Sequence, residues 1–233
     1  MRLASTYRGQ GKLESAEQLG LEVLTTCQAS LGTNHPVTLT CLENLASTYQ
    51  NQGRLSDAGD FRKRGLEISK IVHGETHVET LMLMSNLSAT IRYQGRLEEA
   101  KDLGGKALRR MREAGLDHHM GVPMARLAVT YHMLQLGPEA EALATRALRL
   151  MEEIYGEGDL YTIYAMVNLS IICQSQNKLE AAKDLAETVY ARRERIFGKD
   201  HPVTAAALEN LRQISYAGGS EGISRRLIRG LTG

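Results

Sequence analysis

The sequence has few of the residues that would point to nucleic acid or a membrane as a partner. It contains no tryptophan, and aromatic residues make up only 5% of its 233 positions, which leaves few side chains on which single-stranded nucleic acid could stack. The 28 basic and 27 acidic residues give a net charge of +1, so no excess positive charge favours nucleic acid or an anionic lipid surface. No apolar run reaches the length of about 18 residues that a transmembrane helix needs. We therefore expect no nucleic acid and no membrane as a partner.

Cysteine is also scarce. Cys27, Cys41 and Cys173 are widely spaced, and none belongs to a Cys-x-x-Cys pair. This pattern predicts free, buried thiols in a reducing compartment rather than a disulfide framework or a zinc site. The N-terminus lacks the apolar core of a secretory signal. These absences predict a cytoplasmic protein without a metal or other cofactor.

Motifs for catalysis are missing as well. The sequence has no phosphate-binding Gly-x-x-x-x-Gly-Lys-Ser/Thr loop and no Gly-x-Ser-x-Gly nucleophile elbow. The paired acids Glu98-Glu99 and Glu152-Glu153 are predicted to lie on exposed helix faces, where solvated carboxylates are ordinary. We therefore predict no catalytic residue and expect that the chain is not an enzyme.

A repeat of about 42 residues is the dominant feature of the sequence. Alanine recurs at Ala16, Ala58, Ala100, Ala140 and Ala182, in steps of 42, 42, 40 and 42 residues. A fixed period of this length is typical of solenoid architectures, in which each repeat buries its apolar face against the next.

A second series has the same period. We call it the Asn ladder, although its third member is an arginine. Its steps are 42, 40, 42 and 42 residues, so the short step falls in the same part of the chain as in the alanine series. The Asn ladder consists of Asn44, Asn86, Arg126, Asn168 and Asn210.

Each repeat carries two helical patterns. In the first complete repeat, apolar residues at helical spacing run over 37–51 and again over 55–72, and Gly53 and Gly74 follow the two patterns. Glycine commonly ends a helix in this way, and Pro36 suits the first position of a helix. Connections this short join antiparallel helices. The sequence therefore predicts an all-α fold, a right-handed α-solenoid of antiparallel helix hairpins, with the repeated alanines in the seam between the helices of a pair.

The repeat also predicts the domain organisation. After a partial first repeat, repeats are expected to start near residues 36, 78, 119, 160 and 202, and residues 1–216 are expected to form one solenoid. Because Arg2 stands at the Asn-ladder position, we expect that the array continues upstream of this sequence. Residues 217–220 (Ala-Gly-Gly-Ser) are predicted to end the last long helix, and residues 217–233 to form a C-terminal capping helix. The alternative for that segment is a helix that binds a membrane surface or a partner.

These patterns resemble tetratricopeptide repeats (TPRs) of the kinesin-light-chain type, which combine a Gly-x-x-His-Pro turn with a following Asn-Leu-Ala. The turn is seen at His35-Pro36 and His201-Pro202. The Leu-Ala-Ser-Thr-Tyr strings that begin at Leu3 and Leu45 are similar to repeats of fungal NOD-like receptors that carry an NB-ARC ATPase. The resemblance covers residues 2–216. It implies a protein-interaction module whose first helices line a concave face, and Asn residues that contact bound peptide.

The candidate partner-binding residues are those of the first helices that lie outside the seam. An amide both donates and accepts a hydrogen bond, so the Asn ladder could pair with the backbone of an extended peptide of any sequence. Alternatively, each amide bonds to the neighbouring repeat and orders the stack. Arg92 and Arg126 could add charge-assisted hydrogen bonds to an acidic ligand. The predicted site comprises Asn44, Asn86, Arg92, Arg126, His132, Tyr164, Asn168, Gln174 and Asn210.

Other polar residues are given structural roles. His35 and His201 are predicted to cap helices or to pack between repeats. His73 and His77 have the four-residue spacing of a metal pair on a helix, but the turn at Gly74 is expected to separate them, so no metal site is predicted. The basic clusters at residues 62–64, 109–110 and 192–193 are predicted to be solvated charge on the outer side of the second helices.

The sequence thus favours a protein–protein interaction module that binds a peptide or partner segment in its concave groove. By analogy with NOD-like receptors, the module would be the sensor or regulatory region of a larger receptor. Two alternatives remain open. One is a structural scaffold that self-associates through the ends of the solenoid, and the other is a regulatory domain that binds a small polar ligand.

Overall fold

The computed structural model describes the backbone of residues 2–231 and the side chains of residues 6–217. Within that part of the chain all regular structure is helical, which confirms the all-α prediction. None of the described helices is long and apolar enough to cross a membrane. The helices are α1 (Arg2–Gly9), α2 (Leu13–Leu31), α3 (Pro36–Asn51), α4 (Leu55–His73), α5 (Val78–Tyr93), α6 (Leu97–Glu113), α7 (Gly121–Met133), α8 (Gly137–Tyr155), α9 (Leu160–Ser175), α10 (Leu179–Phe197) and α11 (Pro202–Leu231).

The chain divides into two compact units. Unit 1 comprises residues 1–130 and unit 2 comprises residues 131–233, so the division falls inside α7. The expectation that residues 1–216 form one solenoid stays a prediction, and the units are described separately.

The repeated alanines lie in the seams between paired helices. Ala58 and Ala100 in unit 1, and Ala140 and Ala182 in unit 2, are fully buried. Hydrogen bonds reinforce two of these seams, because the hydroxyls of Ser88 and Ser170 donate to the backbone carbonyls of Ala100 and Ala182. The small side chain lets the two helices approach closely.

Two further repeated contacts were not predicted from the sequence. Buried threonines three residues after the N-cap position bond to the glycine that follows the preceding helix: Thr38, Thr80 and Thr162 each donate to a glycine carbonyl 2.8 Å away. The glutamines that end the first helices reach across to the previous repeat. Gln94 Nε2 donates to the carbonyl of Leu55, and Gln176 Nε2 donates to that of Gly137, both at 2.8 Å. These bonds explain why glutamine recurs directly after the first helices, as at Gln94 and Gln176.

The fourth first helix, α7, begins at Gly121. A 3₁₀ turn over Asp117–His119 precedes it. The other first helices begin at Pro36, Val78, Leu160 and Pro202.

The predicted helix end at residues 217–220 was wrong. The last helix, α11, continues through Gly218 and Gly219 to Leu231. A glycine in a helix interior costs only about 1 kcal/mol relative to alanine, so two of them need not end a long helix. The side chains of the predicted capping helix beyond residue 217 lie outside the described residues.

Gln135 and Asn177 adopt the backbone conformation that glycine has at the equivalent turns. Their φ angles are 61° and 59°, and φ at Gly95 is 81°. A left-handed conformation costs a residue with a Cβ roughly 1–2 kcal/mol. Glycine avoids this cost, but it loses more backbone entropy on folding, which offsets part of the gain. Replacing Gln135 with glycine should therefore raise the free energy of unfolding by about 1 kcal/mol in urea denaturation. The reverse change, Gly95→Gln, should lower the free energy of unfolding. An unchanged free energy in both variants, or changes of the opposite sign, would contradict this explanation.

Candidate functional site

All the predicted partner-binding residues lie on the first helices. We call the side of these helices that carries the Asn ladder the first-helix face. Each unit has its own part of this face: α3, α5 and α7 as far as Thr130 form it in unit 1, and the end of α7 with α9 and α11 form it in unit 2. Unit 1 holds Asn44, Asn86, Arg92 and Arg126, and unit 2 holds His132, Tyr164, Asn168, Gln174 and Asn210.

Asn86 is bonded to the repeats on both sides of it. Its Nδ2 donates to Glu43 Oε2 on α3 at 2.8 Å, and its Oδ1 accepts from Arg126 Nη1 on α7 at 2.6 Å. Both functions of the amide are therefore used within unit 1. This arrangement supports the alternative in which an Asn of the ladder orders the stack. Asn44 is half-buried, and its carbonyl accepts from Arg8 Nη1 at 3.1 Å.

Arg62 joins this network, contrary to the prediction that residues 62–64 are solvated. Only 7% of Arg62 is exposed, whereas Lys63 and Arg64 are exposed as expected. Its Nη1 donates to Gln50 Oε1 at 2.6 Å and to the hydroxyl of Thr90, and its Nε lies 3.8 Å from Glu43 Oε2.

The sequence contained a signal for this burial. The positions equivalent to Arg62 in later repeats are the small seam residues Gly104, Ala144 and Ala186. A side chain at this position must therefore point into the seam.

Burial makes charge expensive in this network. It raises the pKa of Glu43, while Arg62, the hydrogen bond from Asn86 and Arg126 act in the opposite direction. Burial likewise lowers the pKa of Arg62, and the carboxylate of Glu43 opposes that shift. Each group thus stabilises the charged form of the other, and Glu43 Oε1 is left buried without a hydrogen-bond partner.

A groove of about 380 Å³ opens beside this network, between the N-terminal halves of α3 and α5. Apolar residues dominate its walls, and two acidic residues border it. An apolar side chain of a bound segment could enter the groove. A neighbouring hydrogen-bond donor of the same segment could pair with one of the two carboxylates at its border. The residues that line the groove include Val37, Leu39, Met82, Leu83, Glu43 and Glu79.

Arg92 was predicted to reach an acidic ligand, but it is largely buried, with 6% of its surface exposed. Its guanidinium lies 4.7 Å from the ring centroid of Tyr93, a cation–π distance. Tyr93 is half exposed, so the aromatic ring is the more accessible partner of this pair.

In unit 2, Asn168 differs from Asn86. Only 8% of its surface is exposed, and its Nδ2 has no hydrogen-bond partner among the described residues. Tyr164 and Ile171, four residues before and three residues after it on α9, are 36% and 42% exposed. An unused donor therefore lies between two accessible apolar side chains on one face of the helix.

The remaining predicted residues of unit 2 occupy the edges of this area. His132 Nδ1 lies 3.3 Å from the hydroxyl of Ser175, and Gln174 is half-buried. Asn210 borders a cavity of about 130 Å³ between α9, α10 and α11, together with Val167, Ile171 and Arg193.

The histidines before the first helices act as N-caps. His35 Nδ1 accepts from the backbone N–H of Val37, and His201 Nδ1 accepts from that of Val203, which matches the predicted capping role. His77 Nδ1 accepts from the N–H of Glu79 in the same way, and Asp159 caps α9.

The turn at Gly74 brings His73 and His77 together instead of separating them. Their rings stack with centroids 4.8 Å apart and an angle of 19° between planes. Nitrogen atoms of both rings and a carboxylate oxygen of Glu79 lie within 4.8 Å of one another. The lone pairs of nearly parallel rings do not converge on one ion, and Phe197 stacks on His201 in the same way. The arrangement is therefore accounted for by packing.

Comparison with known proteins identifies the repeats. The tetratricopeptide repeat family matches residues 1–71, 42–113 and 122–195. The chain has no significant match among curated protein sequences.

Solved structures share the fold. BtubC (BKLC) from P. vanneervenii is 19% identical with a TM-score of 0.74, over 95% of this chain and 92% of that one. A putative kinesin light chain with TPR-like repeats from Podospora anserina is 20% identical with a TM-score of 0.62, over 84% and 94%. A STAND ATPase with a TPR sensor from Pyrococcus horikoshii is 18% identical with a TM-score of 0.64, over 93% of this chain and 32% of that one.

Proposed function

Because this chain belongs to the tetratricopeptide repeat family, we propose that its first-helix face binds a peptide or a segment of a partner protein. TPR repeats and the similar TPR structures support a protein-interaction module in general. The proposal adds that the partner binds at the first-helix face, and it assigns the chain no catalytic step.

The observation that carries the proposal is the unpartnered amide of Asn168. A buried donor without an acceptor costs roughly 1–3 kcal/mol, and a backbone carbonyl of a bound peptide would supply the acceptor once neighbouring side chains move and expose Nδ2. Tyr164 and Ile171 flank this amide and would contact side chains of the peptide. The groove of unit 1 offers a comparable combination of apolar walls and polar rim. A bound segment would thereby use main-chain hydrogen bonds for affinity and apolar contacts for selectivity.

The similarity to a STAND ATPase with a TPR sensor supports one context for this activity. The chain would be the sensor or regulatory region of a larger receptor, and binding at the first-helix face would be the detected event.

The test is a peptide-array screen of the full chain, followed by titration of the best peptide. Asn168→Ala should weaken binding by about 1–3 kcal/mol, or roughly 5- to 150-fold, with a smaller loss of stability than Asn86→Ala, because its Nδ2 has no hydrogen bond to lose. Asn86→Ala should instead lower the free energy of unfolding, because it removes bonds to Glu43 and Arg126.

Asn34→Ala, in an exposed turn outside this face, is the matched control and should leave affinity unchanged. Undiminished affinity of Asn168→Ala would contradict the proposal. Stable oligomers in native mass spectrometry without peptide hits would favour the self-associating scaffold. A rise in melting temperature with a small polar compound, again without peptide hits, would favour the small-ligand alternative.

A further inference from the structure

Two of the three cysteines, which are 14 residues apart in sequence, are neighbours in unit 1. Cys27 on α2 and Cys41 on α3 have their sulfur atoms 3.8 Å apart, and the thiol of Cys41 donates towards Cys27. Cys41 is buried, whereas Cys27 is half-buried and can be reached from solvent. Cys173 lies in unit 2, on α9, and is buried.

We propose that Cys27 and Cys41 form a modification site for peroxide, which joins them in an intramolecular disulfide between α2 and α3. In the first step the Cys27 thiolate attacks one oxygen of hydrogen peroxide. The O–O bond breaks, Cys27 becomes a sulfenic acid, and the leaving hydroxide takes up a proton to form water. In the second step the Cys41 sulfur attacks the sulfenic sulfur, the S–O bond breaks, and the departing hydroxide takes the Cys41 proton. Two thiols and one peroxide thus give one disulfide and two waters.

The geometry permits the bond. A disulfide has its sulfur atoms about 2.05 Å apart, so the two sulfurs must approach each other by roughly 1.8 Å. The α2–α3 connection spans only residues 32–35, which keeps the two helices adjacent. Cys27 packs against the cluster that contains Cys41, Leu39 and Leu42. Formation of the bond therefore requires a change of the side-chain torsions and a small approach of the two helices.

The different environments of the two thiols set the order of events. Burial, as the largest cause, raises the pKa of Cys41 to about 11, so this thiol is protonated at neutral pH and reacts poorly with peroxide itself. Cys27, being more exposed, meets the oxidant first. Because the two sulfurs are already in contact, Cys41 then has a high effective concentration at the sulfenic acid.

The test uses the full chain, reduced and then treated with hydrogen peroxide. Remaining thiols are alkylated in denaturant, and intact mass and peptide mapping follow. The expected product is a monomer that has lost two hydrogen atoms, is alkylated only at Cys173, and contains a Cys27–Cys41 linked peptide. Its melting temperature should exceed that of the reduced chain by about 5–10 °C, because the bond closes a short loop in the unfolded state. Dithiothreitol should reverse the increase.

Three variants complete the experiment. Cys27→Ser and Cys41→Ala should each abolish this product, whereas Cys173→Ser should leave it unchanged. If Cys41→Ala fails to fold, Cys27→Ser at the half-buried position still decides the result. Sulfinic or sulfonic acid at Cys27, a disulfide between two chains, or three alkylated cysteines after treatment would each overturn the proposal and leave the contact as core packing.

Discussion

Replacing Arg62 with alanine is expected to lower the free energy of unfolding by about 3–5 kcal/mol, the usual cost of removing one partner of a buried ion pair. Arg62 and Glu43 have side-chain exposures of only 8% and 21%, so water can do little to stabilise the carboxylate that remains. The hydrogen bonds of Arg62 to Gln50 and Thr90 are lost as well. Arg126 remains near Glu43 and opposes part of the loss, which favours the lower end of this range.

A double variant provides the control. In the fifth repeat the positions of Glu43 and Arg62 are taken by Val167 and Ala186. Arg62→Ala combined with Glu43→Val copies that pair, removes the buried carboxylate and should recover a large part of the loss. Urea denaturation gives the three free energies. Equal stability of Arg62→Ala and the natural chain, or a double variant that is no more stable than Arg62→Ala, would contradict this description of the network.

The second large effect is expected in a seam. Ala182→Leu should lower the free energy of unfolding by about 1–3 kcal/mol, or the melting temperature by roughly 2–12 °C for a chain of this size. Ala182 is fully buried, and its carbonyl accepts from Ser170 across the helix pair. Three additional carbon atoms at this position must push α9 and α10 apart.

Ala181 is the matched control, because it precedes Ala182 on the same helix and is exposed. Ala181→Leu adds the same atoms to solvent and should change stability by less than about 0.5 kcal/mol. Thermal unfolding followed by circular dichroism compares the two variants directly. Similar melting temperatures would show that the seam register is wrong.

Much of the fold could be predicted because residues with the same structural role recur in successive repeats. The alanine series located the buried seams, and glycine at recurring positions located the helix ends. Gln135 and Asn177 fit the same register, and their left-handed φ angles show that the turn conformation persists without glycine. The continuation of α11 through Gly218 and Gly219 was not predicted, because adjacent glycines favour a helix end although each costs only about 1 kcal/mol in a helix interior.

The contacts of the site could be predicted less well. The pattern assigns a residue to a helix and a face, but it does not say which side chains of other helices lie opposite. Asn86 and Asn168 look equivalent in sequence, yet only Asn86 has Glu43 and an arginine beside it. The proximity of Cys27 to Cys41 and the stacking of His73 on His77 also depend on how helices meet across a turn.

Amide hydrogen exchange of the full chain, measured with and without its best peptide, shows which helices the peptide contacts. If the first-helix face binds the peptide, exchange should slow in α9 around Asn168 or in α3 and α5 beside the groove, while the second helices α4 and α10 change little. Slower exchange confined to the second helices, or no change at saturating peptide, would contradict the account.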